Sequence, residues 1–193
     1  PRMGLDELER TFARYADTLE YLYDKRIRDI AARYGERIDS WDVVNESATD
    51  EERGVILPGR RLCKSGYGLM PGDYPYRALK SAEKHFSAGV ALNINDYRRE
   101  PVYARQVNEL LRRGCKIDIM GVQMHLFDPR ASLAIAEGRG PQSPAEVRSY
   151  LEELSAPGLP LHLSEITITA PGTDERSRTI QAVIARNLYR LWF

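Results

Sequence analysis

The sequence predicts an α/β fold built on a parallel sheet. Three observations predict it: apolar runs of strand length alternate with amphipathic stretches of helical length, each apolar run stops abruptly in polar residues, and Gly and Pro punctuate the joins. Alternation of this kind requires right-handed crossovers between parallel strands, which admits a doubly wound sheet or a (β/α)8 barrel. At 193 residues and 42% hydrophobic content, the chain has material for one domain, 1–193, with a real core.

The elements follow in order. Apolar residues at Leu5, Leu8, Phe12, Tyr15, Leu19, Leu22, Ile27, Ile30 and Tyr34 fall at three-and-four spacing, which predicts one long helix ended by Gly35. Residues 38–46 form the first strand, nearly continuous in apolar side chains at Trp41, Val43 and Val44, as expected of a strand covered on both faces, with Trp41 in the core. Residues 47–75 are rich in Gly and polar groups and predict a long loop. A helix then runs from about Pro75 through Ala78, Leu79, Ala82 and Phe86 to a second strand over 88–95. The third helix spans 101–113, with Val102, Val107, Leu110 and Leu111 inward and Gly114 at its end, and the third strand covers 117–125. Residues 126–142 read as another Gly- and Pro-rich loop. Ser143-Pro144-Ala145-Glu146 is a helix start with a capping box, and that helix reaches Leu154. After Pro157-Gly158 comes the fourth strand, 159–167, and then a last helix from about Thr173-Asp174-Glu175, with acids in its first turn.

Composition narrows the function classes. The 28 basic and 28 acidic side chains cancel, so the electrostatic footprint of a nucleic-acid binder or a polybasic membrane-surface protein is missing. No apolar run approaches the roughly 20 residues of a membrane-spanning helix, and the chain opens on Pro1-Arg2-Met3-Gly4 with no leader pattern. Cys63 and Cys115 match no metal spacing and form either one bridge or two free thiols. The histidines make no HxH or HExxH pattern, so no metal site is expected, and His85 and His162 match no motif.

Two strands each close on a glutamate: Trp41-Asp42-Val43-Val44-Asn45-Glu46 and Leu159-Pro160-Leu161-His162-Leu163-Ser164-Glu165. In a parallel sheet both C-terminal ends lie on one rim, the face on which barrel enzymes build active sites. Paired carboxylates are the equipment of glycoside hydrolysis: in retaining enzymes they stand about 5–5.5 Å apart, one attacking the anomeric carbon and the other protonating the leaving oxygen. A single strand-end glutamate is more often a cap or an ion-pair partner; two, each closing an apolar strand, make catalysis a reading of equal weight. Loop tyrosines Tyr67, Tyr74 and Tyr76 are candidates for stacking on sugar rings.

These residues resemble a known family. Trp41-Asp42-Val43-Val44-Asn45-Glu46 is similar to the strand-4 acid/base motif WDVVNE of glycoside hydrolase family 10, the endo-β-1,4-xylanases. Asn95-Asp96-Tyr97 resembles that family's NDY at strand 5, Gly121-Val122-Gln123-Met124-His125 its GxQxH at strand 6, and Ser164-Glu165-Ile166-Thr167 its strand-7 nucleophile motif, usually TELD. The resemblance implies the central four units, strands 4 to 7, of a TIM (β/α)8 barrel, and a retaining endo-β-1,4-xylanase that takes xylan or xylo-oligosaccharides, needs no cofactor or metal and is secreted. It implies Glu46 as general acid/base and Glu165 as nucleophile. Asn45 would hold the sugar 2-hydroxyl, His125 would orient Glu165, and Gln123, Asn95 and Tyr97 would line the same substrate site. Physical reasoning supports the division: an ionised Glu165 nearby favours the protonated form of Glu46, and esterification of Glu165 removes that repulsion so that Glu46 can turn to base.

Two departures matter. Thr167 stands where an aspartate is usual and Ser164 where a threonine is usual, which alters the hydrogen bonding behind the nucleophile. The family's first three strands and its last find no counterpart motif here. A sheet left open in that way exposes two edges and predicts self-association of the chain. The alternatives to a xylanase are another retaining β-glycanase of the same barrel clan and a carbohydrate-binding remnant without turnover.

Overall fold

The computed structural model describes Arg10 and residues 15–48, 73–98, 101–139 and 143–193. Its strands are β1 (Ser40–Asn45), β2 (Ala91–Asp96), β3 (Ile119–Leu126) and β4 (Leu161–Ile168). All three pairings are parallel, and the spatial order β1-β2-β3-β4 is the order of the sequence. A doubly wound sheet reverses its strand order at a switch point; a sheet whose every crossover leads to the next neighbour in one direction is the wall of a barrel. Among the described residues the helices are α1 (Tyr15–Tyr34), α2 (Tyr74–His85), α3 (Val102–Arg112), α4 (Pro129–Ala136), α5 (Pro144–Leu154) and α6 (Glu175–Trp192).

Strand alternation sorts the two faces of the sheet. Val44, Leu92, Ile94, Met120, Val122, Met124 and Leu126 face the helices and join Ala78, Leu79, Val107, Leu110, Val147, Leu154, Ile184 and Leu188 in one core. The register puts Asp42 beside Asn93, Asn45 beside Asn95, Asn95 beside Gly121, Gln123 beside Glu165 and His125 beside Thr167 on the opposite, concave face. That face is polar, and its polar groups gather toward the C-terminal ends of the strands.

Helix ends follow the local chemistry. Ser143 Oγ accepts the Glu146 N–H and Glu146 Oε2 accepts the Ser143 N–H, which is the capping box expected for α5. Asp174 accepts the Ser177 N–H at 3.0 Å and starts α6. Gly114, at φ 76°, takes the left-handed position just past α3.

Several expectations need correction. Residues 129–136 are helical where 126–142 read as a loop: Asp128 accepts the Arg130 N–H and Pro129 fills the first turn, a start that the flanking Gly and Pro obscured. β1, expected to be covered on both faces, is not. Val44 is the one buried residue of β1 and β4 has none, because each of these strands has a single neighbour among the described residues. Trp41 is half-buried between Tyr34 and Phe86, with centroids at 6.4 and 5.6 Å, and sits at the margin of the core. The stripe of α1 is likewise half used: Ile27 and Ala31 are buried while Leu22 is exposed. Tyr74 is buried in the core and Tyr76 carries the Arg113 guanidinium on its ring at 3.9 Å, so neither is a sugar platform. Tyr67 and Cys63 lie outside the described residues. Cys115 is a buried free thiol, and burial pushes its pKa up.

Candidate active site

The rim at the C-terminal ends of the strands is shaped by two irregularities. In β1 the register with β2 slips at Val43, and in β4 the register with β3 slips at Ser164. Each inserts one residue ahead of a glutamate, and bulges re-aim the side chains that follow them. Glu46 itself sits at φ 59°, a left-handed conformation that costs a residue other than Gly about 1–2 kcal/mol. Its N–H donates to Asn95 O at 2.7 Å, which fastens the strained residue to the neighbouring strand. Just beyond it the Ala48 N–H donates to Asp96 Oδ2 at 2.8 Å and Ser47 Oγ to Gln106 at 2.9 Å. Asp96 is thereby a structural residue, fully buried, that fixes the chain leaving Glu46.

A continuous chain of side-chain hydrogen bonds joins the two glutamates. Gln123 Nε2 donates to Glu46 Oε1 at 3.3 Å and to Asn45 Oδ1 at 3.1 Å. Asn95 Nδ2 donates to the same Asn45 oxygen at 2.7 Å and to Glu165 Oε1 at 2.8 Å. Ser164 Oγ donates to Asn95 Oδ1 at 2.6 Å, which sets the amide so that its NH2 points at the two acceptors. Asn95 is 1% exposed. The sequence placed it against the sugar; the structure buries it as the bracket between Asn45 and Glu165.

Gly121 makes room for that bracket. A β-carbon there would sit 2.5 Å from Asn95 Oδ1, so the site needs a residue without one. Beneath it, buried Tyr103 places its hydroxyl 2.8 Å from Ile94 O and 2.9 Å from Gly121 O, bracing β2 against β3, and burial pushes its pKa up. Neither role was read from the sequence. Glycine inside an apolar strand was the available signal for Gly121, whereas Tyr103 looked like any other position of an amphipathic helix.

Glu46, Tyr97, Gln123, His125, Phe127 and Glu165 line one open cavity of about 450 Å³. Five of these were expected at the site; Phe127 was not. Asn45 Oδ1 accepts from Gln123 and Asn95, and its Nδ2 has no partner among the described residues.

A family model described as Glycosyl hydrolase family 10 matches residues 9–190. The chain belongs to glycosyl hydrolase family 10. It is 34% identical over 109 residues to endo-1,4-beta-xylanase A of Halalkalibacterium halodurans, covering 53% of this chain and 26% of that protein. It is 26% identical over 179 residues to endo-1,4-beta-xylanase 2 of Aureobasidium pullulans, covering 88% of this chain and 46% of that protein. Native xylanase 10B from Thermotoga maritima shares the fold at a TM-score of 0.69 and 22% identity, over 91% of this chain and 51% of that one. The chain thus spans less than half the length of these two curated relatives, and its four-stranded parallel sheet is a portion of the family 10 barrel.

Behind the second glutamate stand His125 and Thr167. His125 Nδ1 lies 2.9 Å from Thr167 Oγ1 and its Nε2 lies 3.5 Å from Glu165 Oε2. One ring nitrogen of His125 is thus within hydrogen-bond distance of the Thr167 hydroxyl while the other faces Glu165. Glu165 accepts from Asn95 at one oxygen and has His125 Nε2 3.5 Å from the other, whereas among the described residues the carboxylate of Glu46 has one long hydrogen bond, from Gln123.

Proposed function

We propose that this chain carries the catalytic pair of a retaining endo-β-1,4-xylanase, with Glu165 as nucleophile and Glu46 as general acid/base. The observation that supports the reading is the hydrogen-bonded line Glu46–Gln123–Asn45–Asn95–Glu165, whose two glutamates open on one cavity, in a family 10 chain. Glu165, which accepts from Asn95 and has His125 beside it, is positioned as an attacking group must be. Glu46, with its single weak tether, is free to deliver a proton to the departing glycosidic oxygen and later to take one from water.

In the first step Glu165 forms an ester to the anomeric carbon while that carbon's bond to the leaving oxygen breaks and Glu46 gives up its proton. In the second, water deprotonated by Glu46 attacks the same carbon and Glu165 departs. Asn45 offers its free Nδ2 to the sugar 2-hydroxyl, and Gln123 and Tyr97 line the substrate's path. Xylan and xylo-oligosaccharides are the substrates, and action on a polymer fits an extracellular site.

In the intact protein, Glu165→Gln is expected to lower kcat on xylan by about 10³-fold or more. Proton NMR of the wild-type reaction is expected to show the β-anomer first. Ordinary turnover by the variant, or initial release of the α-anomer, would overturn the assignment.

A further inference from the structure

Phe127 is used neither by the core nor by the chemistry just described. It is 67% exposed, the largest exposure of any apolar residue on the active rim. Its ring stacks on His125, with centroids 4.5 Å apart and planes 18° from parallel. One face therefore meets the imidazole while the other opens on the cavity shared with Glu46, Tyr97, Gln123 and Glu165. The backbone on either side is held: Leu126 ends β3, and Asp128 caps α4 through the Arg130 N–H at 2.9 Å. The backbone that carries the phenyl is thus anchored on both sides, and the ring rests on His125.

Leaving a phenyl in water forgoes the gain of burying it, so a ring held open at the edge of a polar cavity is suited to a ligand with an apolar face. A pyranose is such a ligand, with C–H bonds on its face and hydroxyls around its rim. We propose that Phe127 is the stacking platform of a sugar subsite beside the catalytic pair, carrying one ring of a xylo-oligosaccharide. The proposal rests on the reading of the site as a xylanase centre. Gln123 and Tyr97 line the same cavity and supply polar groups for the hydroxyls of the stacked ring.

The test is calorimetric binding of xylotetraose to the intact protein in a Glu165→Gln background, alone and with Phe127→Ala or Phe127→Tyr. Phe127→Ala is expected to weaken binding about five- to tenfold and Phe127→Tyr to stay within about twofold of Phe. Equal affinity with Ala, or an equal loss with Tyr, overturns the platform. Binding that depends on Phe127 without turnover by the wild type sinks the proposed reaction and leaves the platform standing. No binding in the background protein overturns both. Where turnover is measurable, Phe127→Ala is expected to raise KM by the same factor. A fall in kcat with a displaced pH profile and unchanged KM would make the ring a support for His125 instead, and would overturn the proposal.

Discussion

Glu46 reaches the rim from a backbone conformation it does not favour. At φ 59° it pays for its aim with local strain, and that strain predicts a trade between stability and activity. Glu46→Gly is expected to raise unfolding stability by about 1 kcal/mol, measured by denaturant titration, while abolishing hydrolysis. A loss of stability would show that side-chain contacts of Glu46 outweigh its backbone cost. Gly121 is the converse case. Gly121→Ala places a methyl against Asn95 Oδ1, and displacing that amide releases Asn45 and Glu165 together. The expected outcome is a loss of about 1–3 kcal/mol in stability and a fall in kcat larger than any change in KM. Retention of full kcat would show that the bracket can shift without moving the nucleophile. The carboxylates, Gln123 and His125 were legible because strand-end motifs carry them. The buried roles of Asn95, Tyr103 and Gly121 were not, since each depends on which atom of another strand or helix stands opposite.

At the scale of elements, the helices are tied down largely by aspartates. Asp174 caps α6, Asp128 caps α4, Asp73 before α2 pairs with Arg113, and Asp24 on α1 accepts the Ser81 hydroxyl of α2. All four carboxyls are held below the ordinary value of 3.8. The leading causes are the Ser177 N–H for Asp174, the Arg130 side chain for Asp128, Arg113 for Asp73 and the Ser81 hydroxyl for Asp24. A group depressed on folding contributes stability that is complete above its unfolded pKa and is lost as pH falls through its folded one. Melting temperature is therefore expected to be steady above about pH 5 and to drop below about pH 4, with the gap between wild type and Asp174→Asn closing over the acid range. A gap that persists at low pH would mean that the cap acts through packing and not through charge. Caps are nearest-neighbour chemistry, which is why α5 and α6 could be placed from Ser143 and Asp174. The start of α4 was hidden because Asp128-Pro129 also reads as a turn.

At the scale of the whole molecule, the four described strands leave β1 and β4 with one hydrogen-bonded neighbour each, and the polar concave face lies open beside them. Unpaired strand edges recruit other strands. The 193-residue chain expressed by itself is expected to self-associate in light scattering and to hydrolyse xylan poorly; a monodisperse, cooperatively unfolding and active monomer would contradict that. The sequence alone determined the βα alternation, the strand ends that carry Glu46 and Glu165, and the family pattern around them, because periodicity, caps and motifs are properties of contiguous residues. Only the tertiary structure decided that the strands wind in one direction, that Asn95 is a buried bracket above Gly121, that Tyr74 and Tyr76 turn away from the cleft, and that Phe127 lies against His125. Those outcomes depend on register between strands and on which neighbours a surface acquires, and no local window of sequence contains either.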